Sequence, residues 1–315
     1  MFGHENQNPS DNKPEEQKKI DEFLRNGIKL ATNRIKKEDL GKFVEENDEK
    51  IKTEYEKVPE GQYYRWNVGK RPENFPDKHR YDFSKAYDHN RVVLKVFADN
   101  ATSNDYINAN YIDGYDLPRR FIATQAPIPA TVNDFWRMVF DADARTIVTL
   151  TRLVENNKTK CEKYWADEGT KTFGEISVTT AETENLPDLD IRHYNIERDS
   201  ETREVIHFHF LGWPDTGTPT DPDALLNVIE KVRKSPTFGA VHPVVVHCSA
   251  GVGRTGTFLL LFNMIEMAEK SDEVDVYKYF AKLRTQRVNA IEALDQYRFV
   301  YSTLVKHLTR DKPDN

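Results

Sequence analysis

The sequence predicts a single α/β domain, a mixed and twisted sheet with helices on both faces. Three features carry that expectation. Residues 243–267 run from a short apolar strand through a loop of small residues into a helix that is apolar nearly all round; residues 172–211 alternate as antiparallel strands do; and the chain after Gly256 reads as helices.

Composition narrows the function classes before any motif is considered. At 315 residues the chain can bury a large core. Charged residues make up 31% and the net charge is -7, so no basic field invites nucleic acid. Two cysteines, Cys161 and Cys248, cannot build a disulfide framework and fit a reducing compartment. The first 19 residues hold no apolar stretch suited to a signal peptide, and no run approaches the roughly 18 apolar residues that cross a bilayer. A cytosolic monomer without a membrane segment is expected.

In chain order, residues 1–18 are too polar to offset their ordering entropy and are expected to form a disordered tail. Residues 19–37 read as a partly helical extension, and 38–310 as the catalytic domain, followed by a short tail at 311–315. Leu40, Phe43, Val44, Ile51 and Tyr55 share one helical face. Residues 59–87 are long and irregular, which suits a functional loop better than a connector. Residues 92–96 and 104–112 read as strands. Thr131 with Asp134 reads as a capping pair for a helix whose core face carries Val132, Phe135, Trp136, Val139 and Phe140.

Residues 146–150 form a buried strand, after which Glu155 and Lys160, taken alone, are solvated loop charges. His207 and His209 fall on one sheet face; with no third ligand in view, a metal is not expected. Residues 213–219, Trp-Pro-Asp-Thr-Gly-Thr-Pro, form a loop punctuated by Gly217 and two prolines. Asp221-Pro222 then opens a helix with Leu225, Val228, Ile229 and Val232 on one face.

The chemistry concentrates in residues 244–256, Val-Val-Val-His-Cys-Ser-Ala-Gly-Val-Gly-Arg-Thr-Gly. Ala250, Gly251 and Gly253 let consecutive N–H groups converge beside the positive end of the following helix, which makes an anion nest. Cys248 faces that point, where oriented dipoles favour a thiolate. Arg254 supplies a planar fork for two phosphate oxygens. Two competing readings are weaker. A buried structural Cys has no use for the arginine and glycines. Gly251, Gly253 and Gly256 also match G-x-G-x-x-G with Asp275 about twenty residues on, but a dinucleotide fold needs further strand and helix units that do not follow.

At these residues the chain resembles the classical protein tyrosine phosphatases, and His247 to Gly256 matches their signature loop. The resemblance extends to Lys78-His-Arg-Tyr81, the loop whose tyrosine walls the pocket, and to the mobile acid loop at Trp213-Pro214-Asp215. It implies the protein tyrosine phosphatase fold and a cofactor-free hydrolysis of phosphotyrosine in proteins. Cys248 would be the nucleophile, Arg254 and the N–H groups of Ser249, Ala250, Gly251, Val252 and Gly253 would hold the phosphoryl oxygens, and Asp215 would be the acid. Glu155 would orient Arg254, Thr255 would stabilise the leaving thiolate, and His247, Lys160 and Trp213 would support the site. Glu292 stands where the family has a glutamine that positions water, while Gln296 is retained. Phe83 stands where the family carries an aspartate that grips the substrate main chain. These two departures leave a second reading open, a slow pseudophosphatase that binds phosphotyrosine.

Overall fold

A computed structural model describes residues 14–96, 104–239 and 241–310. Its centre is a nine-stranded mixed sheet. In chain order the strands are β1 Arg91–Val93, β2 Tyr106–Ile112, β3 Phe121–Thr124, β4 Thr146–Thr149, β5 Gly169–Phe173, β6 Ile176–Leu186, β7 Leu189–Arg198, β8 Glu201–Phe210 and β9 Val244–His247. Their spatial order is β1-β2-β3-β9-β4-β8-β7-β6-β5. The signature strand β9 lies inside, parallel to both β3 and β4, with His247 level with Thr124 and Thr149. A strand covered on both faces has to be apolar throughout, and Val244, Val245 and Val246 supply that. Val244 and Val246 point into one hydrophobic layer and Val245 into the other.

Helices Pro222–Lys234, Gly253–Lys270, Val276–Gln286 and Leu294–Arg310 cover the first face, and helix Val132–Asp141 covers the second. Asp221 caps its helix by accepting the N–H of Asp223, with Pro222 at the first helical position, as its sequence requires.

Local expectations fail in three places. The face carrying Leu40 to Tyr55 is split between helices Leu40–Glu46 and Asp48–Lys57, which break at Asn47. Thr131 makes no side-chain cap for Val132–Asp141; its hydroxyl accepts the N–H of Ile128, while Asp134 pairs with Lys78 and Arg137. The tail boundary at residue 18 falls inside helix Glu15–Glu22, which is ordered because Ile20 and the following Phe23 are buried in the main core. The rest of that tail, residues 1–13, and the tail at 311–315 lie outside the described residues.

Candidate active site

Between the end of β9 and the helix start at Gly253, the loop turns its carbonyls outward and commits them all. Cys248 O accepts from His247 Nδ1 at 3.0 Å, and Ser249 O from Ala126 N at 2.9 Å. Ala250 O and Gly251 O accept from the Arg287 guanidinium at 3.2 and 3.1 Å. Val252 O accepts from Gly256 N and Ile291 N. Peptide units whose oxygens face out present their N–H groups inward, so the loop becomes a concave donor array at a helix N-terminus. Gly251 makes this possible. Its φ is +68°, and a Cβ there would lie 2.0 Å from Thr124 O.

Cys248 is 5% exposed at the floor of this array. Arg254 lies near it, and Glu155 takes both of the terminal nitrogens of Arg254, at 2.6 and 2.9 Å. Glu155 is itself fixed by the Thr151 hydroxyl and the Arg152 N–H. Burial alone would raise the Glu155 carboxyl, but these bonds, the Arg254 pair first among them, hold it below the usual glutamate range. Burial also opposes the Arg254 charge; Glu155, with nearby Cys248 and Asp215, outweighs that and leaves its pKa raised.

The same guanidinium reaches the loop at residues 213–219. Its Nη2 donates to Pro214 O at 3.1 Å and Asp215 O at 3.4 Å, and Trp213 Nε1 closes the loop onto Gly217 O at 3.1 Å. The loop is thereby drawn to Arg254, with the Asp215 side chain exposed. On the other side, Ser249 Oγ donates to Lys160 O. That leaves Tyr81 OH as the donor in its 3.0 Å bond to Ser249 Oγ.

Below the nest lies a buried polar cluster. Cys248 O can only accept, so His247 carries its proton on Nδ1, which leaves Nε2 as an acceptor facing the hydroxyls of Thr149 and Tyr164 at 2.8 and 3.0 Å. Burial pushes the His247 imidazole down to about 4 and keeps it neutral. His207 and His209 do share a sheet face, their rings stacked 5.6 Å apart. His207 joins Thr149, Tyr164 and Tyr194, while His209 bonds Thr151 O.

Glu292, in the loop just before helix Leu294–Arg310, and Gln296, on its first turn, meet the nest. A Cβ on Gly253 would fall 2.3 Å from Glu292 Oε1 and 2.8 Å from Gln296 Nε2, so both side chains lie against the loop. Crowding by protein raises the Glu292 carboxyl above its usual range, with Arg254 pulling the other way. Thr255, 1% exposed, directs its hydroxyl to no hydrogen-bond partner among the described residues, so it is not engaged with Cys248 here.

Sequence reasoning missed Arg287. It is buried and ties the nest to Asn108, Asn110 and Ser84. Nothing in its sequence neighbourhood singles it out among the 45 Lys and Arg of the chain. Asp275, which the dinucleotide reading needed for a ribose, caps helix Val276–Gln286 and binds Thr32 and Asn33 instead. Cys161 is buried and its thiol is pushed up to about 12 by burial, in keeping with a packing role.

Comparison with known sequences agrees with this geometry. Residues 75–306 match the family described as protein-tyrosine phosphatase. Receptor-type tyrosine-protein phosphatase F of Danio rerio is 42% identical over 260 residues, covering 81% of this chain and 13% of the relative. The proteins of that name from Mus musculus and Bos taurus are each 41% identical over 259 residues, covering 82% of this chain and 14% of theirs. The chain thus spans 13 to 14% of the length of these relatives.

Proposed function

Because the chain belongs to the protein-tyrosine phosphatase family, we propose that it hydrolyses phosphotyrosine in proteins through a cysteinyl-phosphate intermediate. One observation carries the reading: the outward commitment of every carbonyl from Cys248 to Val252, which leaves an inward donor array between a thiol and a clamped arginine.

Phosphoryl transfer needs a nucleophile, a clamp for the equatorial oxygens and an acid for the phenolate. The Cys248 thiolate attacks phosphorus, an S–P bond forms, and the P–O bond to the tyrosine ring breaks. Asp215 gives its proton to the departing oxygen. The loop N–H groups and Arg254 hold the three equatorial oxygens throughout. Water then attacks phosphorus and gives a proton to Asp215, and the S–P bond breaks to return the thiolate and inorganic phosphate. Tyr81, fixed by Ser249, walls the pocket so that a phenyl spacer is needed to bring phosphate down to Cys248. The thiol must stay reduced, and both cysteines are free, so we place the domain in the cytosol, as a monomer with no nucleic-acid partner. No described helix is long and apolar enough to cross a membrane.

Steady-state turnover of p-nitrophenyl phosphate and of a phosphotyrosine peptide tests the reading. Phosphate release is expected from both. The pseudophosphatase alternative is favoured by one observation, the Glu292 carboxyl against Gly253, and it predicts peptide binding without turnover.

A further inference from the structure

Phe83 and Tyr81 are stacked at the pocket mouth, their ring centroids 5.3 Å apart with 26° between planes. Tyr81 is held by Ser249, yet Phe83 keeps 47% of its surface in water. The loop beneath them is braced by hydrogen bonds. Ser84 is buried, its carbonyl taken by Asn108 Nδ2 at 2.7 Å and its hydroxyl by Arg287. An exposed aromatic ring on a braced backbone loses little entropy when it is covered.

The cations of this loop face inward. Lys85 is 4% exposed, donates to Asp82 O, and sits 4.6 Å over the Phe75 ring. Arg80 spends its fork on Ala126 O, Pro127 O and Thr159 O. What the rim offers is therefore an apolar ring beside an exposed carboxylate, Asp82.

We propose that Phe83 extends the Tyr81 wall into an apolar platform that selects phosphotyrosine flanked by an aromatic or branched aliphatic side chain and disfavours an acidic flank. The proposal rests on the phosphatase reading, in which the substrate ring packs against Tyr81. Neighbouring residues of a peptide are about 3.8 Å apart at Cα. A flanking side chain is then brought to the ring that stacks on Tyr81, and covering apolar surface there is favourable. An acidic flank meets the charge of Asp82 and finds no cation on the loop.

The test uses the full chain and phosphotyrosine peptides carrying Phe, Leu, Gly or Asp at the position before or after the phosphotyrosine. Each kcat/KM is divided by the same protein's value on p-nitrophenyl phosphate, so that altered folding cancels. The parent is expected to favour Phe or Leu over Asp by about tenfold at one flank. Phe83→Ser should remove that preference and Phe83→Leu should keep part of it. An equal response to all four flanks in the parent, or a preference that survives Phe83→Ser, overturns the proposal. Should neither substrate be turned over, the phosphatase reading fails separately, and titration of the same peptides into the parent and Phe83→Ser proteins then reads the platform through affinity, with the same two outcomes overturning it.

Discussion

Glu155 and Arg254 are 99 residues apart in sequence, yet the carboxylate engages both terminal nitrogens of the guanidinium. Removing the charge from one side strands the other. Glu155→Gln should lower stability at neutral pH by about 2 to 3 kcal/mol, somewhat less than for a fully buried pair because Arg254 keeps partial access to water. The Glu155 carboxyl is held below its ordinary range, so its stabilising contribution is complete above the ordinary glutamate pKa, about 4.3, and is lost as pH falls through the depressed value. Urea melts of parent and variant should therefore converge in acid. A gap that stays constant down to pH 2 would show that the pair does not set it.

The pair also fixes the Arg254 rotamer proposed to bind phosphate and, through Pro214 O and Asp215 O, the loop that carries the proposed acid. Asp215→Ala should lower kcat by about 10²- to 10⁴-fold on a phenolic ester with a poor leaving group. KM should change far less, because proton donation is realised in the transition state. Parent and variant at equal rates on such an ester would refute the acid assignment.

How much of this was legible beforehand varies with the range of the interaction. The nest was visible because every requirement is local: valines for a strand covered on both faces, small residues for converging N–H groups, and an arginine on the first helical turn. The Glu155 partnership was not. On its own the residue reads as a solvated charge, and only a family resemblance pointed to it. Arg287 was missed altogether, since burial of a lone cation depends on carbonyls from the nest and on Asn108 and Asn110, which lie more than 170 residues away. The misplaced cap at Thr131 has the same origin. Asp134 is drawn into ion pairs with Lys78 and Arg137, the first of them outside the helix, and tertiary partners outrank a local box.

For Cys248→Ser, loss of turnover is expected, because a hydroxyl in the same nest stays protonated and is a far weaker nucleophile than a thiolate. Acid quenching of the parent during turnover should trap phosphate on the peptide containing Cys248. Phosphatase activity in the variant, or phosphate trapped on another residue, would sink the mechanism.

In the proposed mechanism Glu292 would govern the second step. Its carboxyl lies against Gly253 of the nest that would hold the phosphoryl group, where its negative charge would repel the intermediate and offers none of the N–H donors of a glutamine. Hydrolysis of the intermediate should then limit turnover. The parent should release about one equivalent of phenol in a burst before a slow steady state, and Glu292→Gln should raise the steady rate and shrink the burst. The pH dependence follows from the raised carboxyl. Protonation persists above the ordinary glutamate range and removes the repulsion, so the parent's burst should be smallest in mild acid and grow as pH rises through the Glu292 pKa. In Glu292→Gln that growth should be absent. Rapid-quench measurements of burst amplitude from pH 5 to 8 check this, and equal amplitudes in both proteins across that range would show that Glu292 does not act on the intermediate.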